Sequence, residues 1–269
     1  MPNESPAEQP ETWTRALDSF RSLVASTIDW SVPTGCPGWS VADLVSHTID
    51  LESMLATDPR PDHDPDWSRL PHATSDFGRR MEVGVDYRRG RSKDELLEEL
   101  HLTHSRALAR LQALGPDASI PWLRGDAPIP QILSMRTFDI WVHEQDVRVS
   151  TGNIGNLDGP GSIDAMQYLT AGLPKVWGKV VGAPIGSVLH MEIVGPGQTG
   201  EVWVGINEDG RADFVDRTLE ADVTVKLPWL TFVVLAAGRS VGPQVAESVV
   251  VAGEAELADS LVAGMAVTP

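Results

Sequence analysis

QILSMRTFDIWVHEQDVRV, residues 131–149, sits between the Pro-containing GDAPIPQ and the Gly/Asn-rich STGNIGN, and these breaks bound it as one helix. At about 3.6 residues per turn, Ile132, Met135, Ile140, Val142 and Val147 fall in a single apolar arc. Asp139 and His143 lie near the centre of that arc, four residues apart, so both point the same way. A carboxylate in a buried stripe is costly unless its charge is compensated. A divalent metal ion would compensate it, with the imidazole as a second ligand. Two plainer arrangements fit the same residues. Asp139 and His143 could form a hydrogen-bonded pair, or Arg136, on the same turn, could neutralise Asp139.

A third ligand comes from the helix expected to follow TGCPGW. Ser40 is its N-cap, SVAD approximates a capping box, and the helix runs to about Ala56. His47 flanks its stripe of Val41, Leu44, Val45, Thr48 and Leu51. One His from this helix and an Asp-x-x-x-His from another can meet inside a helical bundle. Three N/O ligands that leave one position open suit catalytic zinc, although ferrous iron takes the same donors.

The remaining elements read outward from these two. Helices are expected over Glu11–Thr27, Phe77–Tyr87 and, capped by Ser92, up to Leu114. The stretch Asp58–Asp76, with four Pro and five Asp, reads as a long loop that could cover a site. Beyond a helix over Ser162–Val180, strands are expected in SVLHMEIVG, EVWVGIN, ADVTVKLP and ESVVVAG, with helices over Trp229–Ala237 and Glu254–Met265. The fold class is therefore a helical bundle, residues 1–155, followed by a small α+β domain, residues 156–269.

Composition narrows the function. Of 269 residues, 38 are Asp or Glu and 21 Lys or Arg, a net charge of −17 that argues against a nucleic-acid partner. One cysteine excludes a disulfide framework and a Cys-rich zinc module. The polar, acidic start carries no secretory pattern, and the longest apolar run, Trp229–Ala237, is far short of the roughly 20 residues of a membrane span. A cytoplasmic protein without a membrane partner is expected; no heptad or apolar patch points to an oligomeric state.

PTGCPGWSVADLVSHTIDLE (33–52) and SMRTFDIWVHEQDVR (134–148) resemble the N-terminal domain of mycothiol-dependent maleylpyruvate isomerases, within the wider DinB-like group of metal-binding four-helix bundles. ADVTVKLPWLTFVVLAAGRSV and VVVAGEAELADSLVAGMAVTP are similar to the sterol-carrier-like domain that follows it in that family. The resemblance implies a zinc ion held by His47, Asp139 and His143, with Asp139 standing where the family founder has Glu. It also implies mycothiol as cosubstrate, its sulfur ionised on the metal to attack a small-molecule electrophile by isomerisation or S-transfer. Arg239, in LAAGRSV, resembles a family position and could hold a substrate carboxylate; equally, it could satisfy carbonyls at a helix end. Two other functions remain open: a metal-hydroxide hydrolase of an amide or ester, and a non-catalytic carrier of an apolar ligand.

Weaker expectations attach to the neighbours. Asp146 and Arg148 could orient His143 or brace the helix, Asp50 reads as an exposed acid, and Cys36 as a small packed side chain rather than a nucleophile. Trp39 is expected to anchor the loop beneath the second helix. His104, on an apolar face three residues after His101, reads as a core histidine with one hydrogen-bond partner. His63, His72 and His190 are expected in solvent-facing or structural roles.

Overall fold

A computed structural model describes residues 9–217, 220–239 and 248–268. The first eight residues, and Ser240 and Val241 of the LAAGRSV motif, lie outside them. The chain divides into two compact units, Met1–Gly155 and Asn156–Pro269.

The first unit is helical: α1 (Gln9–Ser26), α2 (Val41–Ala56), α3 (Asp76–Asp86), α4 (Lys93–Leu114) and α5 (Ile129–Thr151). α1 packs on α5, and α2 on both α4 and α3. Trp13, Leu17, Phe20 and Val24 recur on one side of α1 and are fully buried with Leu44 and Ile49 of α2, Leu96 and Leu100 of α4, and Leu133 and Ile140 of α5. Two complete capping boxes, Ser40 with Asp43 and Ser92 with Glu95, start α2 and α4 where the sequence places them. The acidic loop expected over Asp58–Asp76 carries a single 3₁₀ turn, Trp67–Arg69. A short hairpin between α4 and α5, β1 (Ser119–Trp122) and β2 (Gly125–Pro128), was not expected.

The second unit opens with α6 (Ser162–Ala171), which continues past Gly172 through Leu173–Lys175 into a π-helical turn, Val176–Val181. The four expected strands are β3 (Val188–Val194), β4 (Gly200–Ile206), β6 (Val223–Pro228) and β7 (Val250–Gly253). A short fifth, β5 (Ala212–Phe214), joins them in the order β5-β4-β3-β6-β7. Among the described strands of this sheet, only β3 and β6 pair in parallel, with Met191 opposite Val225. Along β3, Leu189, Met191 and Ile193 are buried on one face, the alternation expected of a sheet with one covered side. The helices α7 (Trp229–Ala236) and α8 (Ala255–Ala263) complete the unit. The α plus α+β class read from the sequence is the class observed. Among the described residues, no helix is long and apolar enough to cross a membrane.

Candidate metal centre

Two helices build the centre. The capping box fixes the start of α2, and Arg89 holds the other oxygen of its Asp43 at 3.0 Å, which sets the position of His47 two turns later. α5 supplies Asp139, His143 and Asp146 from successive turns. His47 Nε2 stands 3.7 Å from Asp139 Oδ2, and His143 Nε2 stands 3.5 Å from Asp139 Oδ1. The His47 and His143 rings meet edge to face with centroids 5.1 Å apart. Both imidazoles are buried, whereas the Asp139 side chain is 25% exposed. The carboxylate is thus at the open side of the cluster, not at the centre of a dry stripe.

Trp39 walls the site. Its ring lies 4.9 Å from His47 and 6.4 Å from His143, and its Nε1 donates to Glu82 Oε2 at 2.7 Å. Glu82 also accepts from His72 across 3.0 Å, and His72 packs so closely on Gly38 that a Cβ there would fall 2.2 Å from its ring. The expectation of a loop anchor was incomplete: Trp39 is an anchor whose face contacts both histidines.

Behind His47, Asp139 and His143 lies a buried ionic chain. Arg136, wholly buried, donates Nη1 to Asp139 Oδ2 at 2.5 Å and Nη2 to Glu52 Oε1 at 3.1 Å. Glu52, equally buried, also accepts from Trp13 Nε1 at 3.2 Å and pairs with His104 Nδ1 at 3.0 Å. His104 is therefore the core histidine with one partner; His101, its rival, turns to Arg21.

On its other edge, His143 Nδ1 is 3.0 Å from Asp146 Oδ2, which in turn accepts from the Cys36 thiol at 3.3 Å. Asp146 orients His143, and Arg148 braces the helix by pairing with Glu144 one turn earlier, the two roles expected of them. Asp50 is buried rather than exposed, held by Arg60 and Arg88 and facing the bare backbone of Gly84, where a Cβ would clash at 2.2 Å. Arg239, in the second unit, donates to the carbonyl of Ala237 at the end of α7.

These surroundings set the charges. Burial lowers the His47 pKa, and the Asp139 carboxylate offsets this only in part, so the neutral imidazole is favoured. Burial pushes the Asp139 carboxyl up, but the charges of His143 and Arg136 outweigh it and hold it well below the ordinary range. Burial likewise works against a charged His143, yet Asp139 and Asp146 raise its pKa well above the ordinary imidazole value.

The donors suit a divalent ion. Ligands about 2.1 Å from a tetrahedral zinc stand roughly 3.4 Å apart, close to the separations from Asp139 to both imidazoles. His47 Nδ1 is buried with no hydrogen-bond partner, and its Nε2 is beyond hydrogen-bond reach of Asp139. Ligation at Nε2 would give that nitrogen a partner within the buried ring; Nδ1, across the ring, would stay without one. Cys36, His143 and Asp146 form a second group of possible ligands that shares His143.

The sequence profile described as the mycothiol maleylpyruvate isomerase N-terminal domain matches residues 12–148, about half of the chain. The chain belongs to this family. The matched span contains His47, Asp139 and His143, together with Glu52, Arg136 and Asp146. The likeness in fold runs further. A crystal structure of the mycothiol-dependent maleylpyruvate isomerase superposes with a TM-score of 0.53, and its histidine-to-alanine variant with 0.57. Each is 15% identical to this chain and covers 94% of it and 95% of its own length. No curated protein sequence matches the chain.

Sequence reading missed Glu52 and the double role of Arg136. Glu52 stands in the quoted family segment, but only the pairing of α2 with residues from α1, α4 and α5 reveals that it is buried and ionically engaged.

Proposed function

We propose that this family member is a zinc-dependent, mycothiol-using thiol transferase or isomerase acting on an electrophilic small molecule. The two buried imidazoles that each turn Nε2 toward Asp139, His47 at 3.7 Å and His143 at 3.5 Å, are the observation that carries the reading. His47, Asp139 and His143 would hold the metal, which when bound lowers the pKa of a coordinated thiol from about 8.5 into the working range. Asp146 accepts the Nδ1 proton of His143 and so aims Nε2 at the site. Trp39 shields the two imidazoles with its ring, and the exposed quarter of Asp139 marks the side on which a thiol would enter. Arg239, whose planar fork would suit a carboxylate, donates to the Ala237 carbonyl at the end of its own helix.

The test is cobalt substitution of the full chain. Mycothiol should add a sulfur-to-metal absorption band to the cobalt spectrum, in the wild type and in Cys36→Ser alike, whereas His47→Ala should bind no cobalt. A wild-type protein that binds cobalt without producing the band would refute the thiol role. A band lost in Cys36→Ser would assign the sulfur to the protein itself.

A further inference from the structure

Arg136 poses a physical problem for the site. A guanidinium touching a metal ligand orients that carboxylate, but its charge also repels a cation next to it. The structure places an answer on the far side of the same group. Glu52 Oε1 lies 3.1 Å from Nη2 and 3.3 Å from Nε, while Nη1 is left to Asp139. All of Arg136 and Glu52 is out of water, so neither charge is screened by solvent and each is felt strongly nearby. Glu52 is itself fixed from three directions: Trp13 Nε1 and Arg136 on one oxygen, His104 Nδ1 on the other. His104 lies against the Trp13 ring at 4.4 Å, so the anion is locked in place by groups from α1, α4 and α5.

We propose that Glu52 is a positioning residue of the metal centre: it neutralises Arg136, so that the guanidinium can clamp Asp139 Oδ2 without repelling the ion that Asp139 binds. The proposal rests on the metal-site reading given above. It explains why a carboxylate that touches none of the three ligands is held with no exposure at all, and why the guanidinium spans two acids. Replacing Glu52 with Gln keeps the shape and one acceptor oxygen, for Trp13 and Arg136, but removes the neutralising charge and turns an NH2 donor toward His104, whose Nδ1 accepts it in the other tautomer. Replacing it with Asp keeps the charge and shortens the arm, leaving a small void.

Chelator-stripped full-length protein, titrated with Zn2+ against a competing chromophoric chelator, tests this, with circular dichroism to verify folding. Glu52→Gln should weaken zinc binding at least tenfold, and Glu52→Asp should stay within about threefold of the wild type. An acid that merely fills space would give the reverse order, because Asp is the poorer fit; that order, or unchanged affinity in Glu52→Gln, overturns the proposal. If Glu52→Gln does not fold, Glu52→Asp decides alone, and a tenfold loss there overturns it. A wild type that binds no zinc would remove the metal-site reading itself, an outcome distinct from a wild type that binds zinc and is indifferent to Glu52.

Discussion

Asp139→Asn removes one charge from the centre while keeping its shape, and its cost in the metal-free protein follows from the geometry. Asp139 Oδ1 stands 3.5 Å from His143 Nε2. Unit charges at about that distance, in surroundings of effective dielectric about 20, attract by about 5 kcal/mol. The 25% of the Asp139 side chain open to water, and the desolvation of the imidazolium, reduce the net gain to about 2 kcal/mol. The pH dependence has a definite sign. Asp139 has a depressed folded-state pKa, so its contribution is present above its unfolded value, about 4, and is lost as pH falls through the folded value. His143 has a raised one, so its contribution is complete below about 6.5 and is lost as pH rises through the folded value. The His143 part of the gap, about 2 kcal/mol, should therefore be complete between about pH 5 and 6 and fade on the alkaline side, while the part due to Arg136, which contacts Asp139 Oδ2, persists. Urea denaturation of chelator-treated protein over a pH series, followed by tryptophan fluorescence, measures it. A gap that is constant with pH, or widest in alkali, would mean that Asp139 does not face a charged His143.

Two further outcomes concern the ion itself. Because His143 holds a proton that ligation must displace, zinc binding near pH 7 should release about one proton per ion, measurable by calorimetry in buffers of different ionisation enthalpy; zero release would count against His143 as a ligand. Cys36→Ser keeps a donor to Asp146, so zinc affinity should stay within about threefold and stability within about 1 kcal/mol. Loss of zinc in that variant would instead locate the ion at Cys36, His143 and Asp146.

The helix boundaries were legible because they are local: Ser40 and Ser92 carry their capping partners three residues on, and Gly152 ends α5 in a left-handed turn. The triad was legible for the same reason in part, since His143 follows Asp139 by one turn on one helix. Periodicity failed where tertiary packing takes over. α5 buries Arg136, Thr137, Glu144, Gln145 and Asp146 along with its apolar residues, so it has no clean polar face for a pattern to find. Asp50 looked like a surface acid, but Gly84 lets α3 close over it and two arginines neutralise it. The hairpin escaped because its four-residue strands contain Pro121 and Pro128, which argue against a ladder, and β5 has only three residues.

The plain reading of Asp139, a carboxylate neutralised by Arg136, and the metal reading need not compete. Arg136 is shared between two carboxylates, Glu52 and Asp139, and Asp139 also faces His143, which a third, Asp146, holds from its other edge. A divalent ion taken up in exchange for a proton on His143 adds one positive charge beside these acids, whose burial favours compensation. The carboxylate has lone pairs enough for both partners: Oδ2 stays with Arg136, and Oδ1, now facing the proton on His143, is the oxygen that the exchange frees. On this account the cation displaces a proton rather than the guanidinium. Glu52 and Arg136 then stay paired while the ion exchanges with the proton.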